Sequence, residues 1–139
     1  MSRVLVDTGA WLALADEDDQ YHLRATSIVE RLTIQRAQCV ISEWVFVESL
    51  TAIRFRVGHE RAVRFGRAVR ESRIAELVPS DDKTFRRAWD IFQRYEDKEF
   101  SFVDCTSFAI MEKLDLTVAF AFDRHFEQYG FQLLQATKD

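Results

Sequence analysis

Four acids stand out from the rest of this chain by where they fall. Asp7 follows the apolar run Val4-Leu5-Val6, and Asp123 follows a second apolar run that reaches Phe122. Consecutive apolar residues suit a strand buried on both faces, so each aspartate is placed at the carboxyl end of a central strand. In a parallel sheet both then lie along one edge, the edge where open α/β proteins form their sites. Glu48 is the odd residue of a largely apolar helix. Trp44, Glu48, Thr51 and Phe55 fall on one face, with Val45, Val47 and Leu50 beside it. An ionised carboxylate in that setting needs a partner, because uncompensated burial is costly. An ordinary ion pair with Arg54 or Arg56 is the structural alternative. Asp104 lies three residues after Ser101. That is the spacing of a capping box, so an acid favoured by the helix dipole is its structural alternative.

Taken together, four carboxylates in one pocket repel strongly and do not all stay ionised unaided. A hard divalent cation resolves the conflict, and Mg²⁺ or Mn²⁺ prefers oxygen ligands. Acids holding such ions are the usual equipment for cutting phosphodiesters: one ion activates a water, and a second stabilises the leaving oxygen. The Thr8 hydroxyl is placed to position a water there, or to cap the first helix, and the two roles are compatible. The histidines His22, His59 and His125 are scattered and read as surface or packing residues. No Cys/His cluster has zinc spacing.

The elements that must position these acids follow from periodicity and punctuation. A strand at Val4–Val6 leads into a helix beginning near Thr8. An acidic loop, Asp16 to Gln20, precedes a helix over 21–36. Gln38–Ile41 reads as a second strand, and Ser42 as the N-cap of a helix over 43–57 that Gly58 ends. A helix over 60–73, a strand at Glu76–Val78 stopped by Pro79, and a helix over 82–95 capped by Ser80 or Asp81 follow. Ser101 opens a helix over 102–114. Leu116–Phe122 reads as a buried strand and Phe131–Leu134 as an edge strand. Strand and helix alternate throughout, which favours a parallel sheet with helices on both faces.

With 139 residues, the chain is expected to form one domain, 1–139. Its composition, 47% hydrophobic and 30% charged, is that of a globular protein, and four glycines with one proline favour long helices over a many-turned β fold. No run approaches a membrane span and the first residues do not read as a signal peptide. Cys39 and Cys105 lie far apart in apolar surroundings and read as free buried thiols. A cytoplasmic location is expected. The formal net charge of −4 argues only weakly against nucleic-acid binding, since local charge matters more than the sum.

Four segments resemble the PIN-domain family and, within it, the VapC-type ribonuclease toxins of toxin–antitoxin pairs. They are Val6-Asp7-Thr8-Gly9-Ala10-Trp11, Val45-Phe46-Val47-Glu48-Ser49-Leu50, Ser101-Phe102-Val103-Asp104-Cys105-Thr106-Ser107-Phe108 and Phe122-Asp123-Arg124-His125-Phe126. The resemblance covers nearly the whole chain. It implies a three-layer α/β/α sandwich around a mainly parallel five-stranded sheet, and a Mg²⁺- or Mn²⁺-dependent endonuclease acting on single-stranded RNA. It places Asp7, Glu48, Asp104 and Asp123 at the four acidic positions, and Thr8 at the hydroxyl position. It also implies a homodimer silenced by a small antitoxin protein that covers the site.

For the substrate, Arg54, Arg56, Arg61, Arg64, Arg67, Arg70 and Arg73 crowd two adjacent helices and suit phosphate contacts. A three-residue spacing drifts around a helix, however, so the last five wrap rather than form one stripe. Arg124, beside Asp123, is a further candidate for a phosphate. Among rivals, the Asp7-Thr8-Gly9 triplet of an aspartic protease lacks a β-rich, glycine-rich setting here. A receiver domain lacks its paired acids and late lysine. The alternatives that stay open are a PIN-like nuclease that is no toxin and a non-catalytic α/β module that binds ions or a partner.

Overall fold

The computed structural model describes residues 2–134. Five strands, β1 (Arg3–Val6), β2 (Gln38–Ser42), β3 (Glu76–Val78), β4 (Val118–Phe120) and β5 (Gln132–Leu133), form one sheet in the order β3-β2-β1-β4-β5, with every pair parallel. The helices among the described residues are α1 (Thr8–Ala15), α2 (His22–Ile34), α3 (Glu43–Arg56), α4 (His59–Arg70), α5 (Asp82–Arg94), α6 (Phe102–Leu114) and α7 (His125–Tyr129).

Alternation along the central strands builds two cores, one on each face. Val4 and Val6 of β1, Ile41 of β2 and Phe120 of β4 turn to one side, where they meet Trp11 of α1, Ile28 and Leu32 of α2 and Val69 of α4. Leu5, Val40 and Ala119 turn to the other, against Ile91 of α5 and Phe108 and Met111 of α6. Residues i and i+2 of a strand share a face, so a strand covered on both sides must be apolar at every position. That is the three-layer α/β/α arrangement the resemblance implies.

The strand order matters for the site. From β1 the chain steps outward to β2 and then β3, returns across the sheet, and places β4 on the other side of β1. The direction of winding therefore reverses between β1 and β4. A crevice opens beyond the carboxyl ends of strands at such a switch point.

Most elements lie where local pattern places them, and α6 matches its expected bounds. The differences are instructive. The fourth strand spans only Val118–Phe120 rather than 116–122. Asp115 closes α6 in a left-handed conformation (φ 55°), and Leu116 N–H returns to Met111 O at 2.9 Å, so this stretch belongs to the helix cap. At the far end, Phe120 is paired with Val6, the last residue of β1, and the ladder stops. α2 and α4 end sooner than expected, where Arg36 and Ser72 (both φ 56°) turn left-handed. α7 was not anticipated; its single turn is closed by Gly130 at φ 123° and buries Phe126. Cys105 is buried and Cys39 half-buried, and both are free thiols.

Candidate active site

Asp7 sits directly after β1 at the switch point. Its N–H donates to Phe120 O at 3.0 Å, extending the β1–β4 contact by one bond, and its carbonyl accepts from Ala10 and Trp11. Asp7 is thus the N-cap of α1, and Thr8 is the first helical residue rather than the cap. The Asp7 side chain makes no cap hydrogen bond, and the residue is 6% exposed. Burial pushes its carboxyl up to about 8, and the charges of Asp123, Asp104 and Glu48 add to the effect. The Thr8 backbone N–H opposes it.

Asp104 enters from the first turn of α6. The capping box is formed in full: Asp104 N–H donates to Ser101 Oγ, and Ser101 N–H donates to Asp104 Oδ2, both at 3.0 Å. The acid is nonetheless part of the same pocket, so the capping and site readings hold together. Burial is the main cause that holds its carboxyl above the ordinary range, and Asp123 contributes. The Ser101 N–H and His125 pull the other way.

Asp123 does not mirror Asp7. It lies three residues past the end of β4, in a bend, and its side chain is 41% exposed. Its Oδ1 accepts the His125 backbone N–H at 2.9 Å. His125 joins the two acids. Its Nδ1 lies 2.8 Å from Asp104 Oδ2 and 3.7 Å from Asp123 Oδ1. Asp104, Asp123 and His125 each offer an atom within 4.8 Å of the others. His125 is accordingly no bystander of surface or core. The available signal was its place two residues after an acid, where its N–H invites an Asx-type bond.

Glu48 is exposed rather than crowded, since Val47 and Phe55 on α3 look outward and Trp44 is turned to Phe85 and Phe102. The burial expected from its apolar neighbours is absent because Val45, Ser49 and Ile53 form the inward face. Its partner is no arginine: the Thr8 hydroxyl donates to Glu48 Oε1 at 2.6 Å, while Arg56 pairs with Asp19. Arg124 is exposed at the start of α7 and donates to Glu127 Oε1 at 2.6 Å, outside the acid cluster.

The four acids thus come from four places: the end of β1, the middle of α3, the start of α6 and the bend after β4. Asp104 and Asp123 meet through His125, Glu48 is tied in through Thr8, and Asp7 feels the charge of all three other acids. Among the described residues, no lysine or arginine pairs with any of the four, although the surface carries many such pairs. Carboxylates and a hydroxyl, with the His125 imidazole beside them and no thiolate among the described residues at the cluster, make a mainly oxygen donor set, and its uncompensated negative charge fits a hard divalent cation.

Fold and site together define an α/β protein whose chemistry gathers as acids at the carboxyl edge of a parallel sheet, at its topological switch point. The PIN domain model matches residues 4–132, and the chain belongs to that family. It is 35% identical over 129 residues to the 23S rRNA-specific endonuclease VapC20 of Mycobacterium tuberculosis, covering 92% of this chain and 95% of the relative. The crystal structure of that protein, described as a Sarcin-Ricin loop cleaving toxin, superposes with a TM-score of 0.85 at 32% identity, covering 95% of this chain and 98% of the other. VapBC-1 from nontypeable Haemophilus influenzae shares the fold at a TM-score of 0.68 and 14% identity, over 98% of this chain and 99% of that one.

Proposed function

We propose that this chain is an endoribonuclease of the VapC type, a single cytoplasmic domain over 1–139, that hydrolyses single-stranded regions of RNA with Mg²⁺ or Mn²⁺. The observation that carries the reading is the convergence of Asp7, Asp104, Asp123 and Glu48, from distant parts of the chain, on one sheet edge with no lysine or arginine among the described residues paired to them. Stability alone gives no reason to gather like charges; a bound cation does. The whole-length similarity to a ribosomal RNA endonuclease supports RNA as the substrate.

In this reading Asp7 and Asp104 are the principal ligands, and Asp123 completes the outer side. A hard cation held there supplies an activated water at neutral pH and stabilises charge on the departing oxygen. Glu48 orients the attacking water, and the Thr8 hydroxyl holds the Glu48 carboxylate in place through its 2.6 Å bond. The exposed Arg124 meets a flanking phosphate once it leaves Glu127. No helix among the described residues is long and apolar enough to cross a membrane.

Two protein partners belong to this reading. A small antitoxin covers the acid site and blocks RNA. A second copy of this chain covers the face where Phe85, Trp89 and Phe92 of α5 stand exposed and join Trp44 and Phe102 in one chain of ring contacts. Val47 and Phe55 of α3 are exposed apolar residues as well.

Purified protein incubated with ribosomal RNA, with Mn²⁺ or EDTA, tests the activity. Cleavage that needs the metal and falls by at least about a hundredfold in Asp7→Asn is expected, as for removal of a group acting in the transition state. Equal cutting by the variant, purified free of wild type, would sink the reading.

A further inference from the structure

We propose that His125 is a positioning residue that fixes two acids of the site at once, its ring holding Asp104 and its main chain holding Asp123. The inference rests on the metal-site reading above and adds a residue to it. An ionised carboxylate only accepts hydrogen bonds, so the nitrogen 2.8 Å from Asp104 Oδ2, Nδ1, carries the proton. The same Oδ2 takes the Ser101 N–H at 3.0 Å. Two donors occupy this oxygen, while Oδ1 receives no hydrogen bond among the described residues and is left to a cation. At the same time the His125 N–H, one of the first-turn donors that α7 leaves unpaired, closes on Asp123 Oδ1 at 2.9 Å.

The ring is itself held. Its plane meets that of Phe100 at 73°, with centroids 5.8 Å apart, and Phe100 is buried. Asp104 therefore has little rotational freedom about its last bond, although it stands on a helix end. An N–H that orients a ligating carboxylate is an outer-shell role, and such roles govern metal affinity. The rival role is direct ligation, since His125, Asp104 and Asp123 lie close enough to share an ion. Ligation through Nδ1 needs that nitrogen bare and sacrifices the bond to Asp104.

Mn²⁺ titrated into wild type, His125→Asn and His125→Gln, followed by electron paramagnetic resonance, separates the roles. Asparagine places an amide N–H near the Nδ1 position, whereas the longer glutamine places it near Nε2. His125→Asn is thus the conservative substitution: affinity is expected within about threefold of wild type for it and about tenfold or more weaker for His125→Gln. Equal weakening in both, or none in either, overturns the proposal. Pulsed spectra of the wild-type Mn²⁺ complex, which need no variant, are expected to show no directly bound histidine nitrogen; a strong nitrogen coupling lost in both variants overturns it as well. Wild type that takes up no Mn²⁺ overturns the metal site itself, and this inference with it.

Discussion

Removing the charge of Asp7 should stabilise the protein in the absence of divalent metal. The folded protein holds this carboxyl at about 8, whereas an unfolded chain releases the proton near the ordinary value of 3.8. The folded state thus binds the proton more tightly. The stability this confers is full below the unfolded value and is lost as pH rises through the folded one. At pH 7 roughly three pH units of that loss have accrued, a ceiling of about 4 kcal/mol. Asp7 is buried, so bulk water does little to reduce it. Asp7→Asn keeps the shape and removes the charge. Its buried amide needs partners of its own, which takes back about 1–3 kcal/mol. The net gain is about 1–3 kcal/mol at pH 7, or roughly 3–10 °C in the melting midpoint for a domain of this size. Circular-dichroism melts in EDTA between pH 5 and pH 8 measure it. The wild-type midpoint should fall across that window and the variant's should fall much less, with Asp104 supplying the remainder. Added Mg²⁺ should raise the wild type at pH 7 more than the variant. A wild-type midpoint that is flat or rises from pH 5 to pH 8, with the variant melting lower throughout, would show that the acids do not strain the fold.

Two other substitutions probe the surroundings of that centre. Thr8→Val keeps the branched shape of a buried residue but deletes the 2.6 Å bond to Glu48; RNA cleavage should slow by about ten- to a hundredfold while the melting midpoint moves little, and unchanged kcat would remove Thr8 from the site. Trp89→Arg places charge on the exposed aromatic face of α5; sedimentation equilibrium should show a dimer for wild type and a monomer for the variant, and identical masses would leave that face without its proposed partner.

The candidate site was legible where local rules apply. Asp7 could be placed at a strand end because Val4, Leu5 and Val6 leave that strand no polar face, and β1 is indeed covered on both sides. Asp104 could be placed at a helix start because Ser101 three residues earlier completes a cap that depends on four residues only. Glu48 stands out for its oddity, but it is exposed where its apolar neighbours predict burial. The apolar side chains around it belong partly to an outward face, and periodicity does not say which of two apolar faces is covered. Asp123 was placed directly at a strand end. β4 stops sooner because its neighbour β1 does, and strand length is a property of the pair.

Sequence by itself determined the class of fold and, α7 apart, the succession of helices and strands, and it singled out four acids as candidates, because hydrophobic periodicity, caps and turn residues act over a few residues. Only the tertiary structure decided that β4 lies beside β1 and not beside β3, which opens the crevice at Asp7. It alone brought Thr8 to Glu48 across 40 positions and His125 to Asp104 across 21. Contacts of that kind depend on how both faces of the sheet are covered at once, a condition on the whole chain that no short stretch of it encodes.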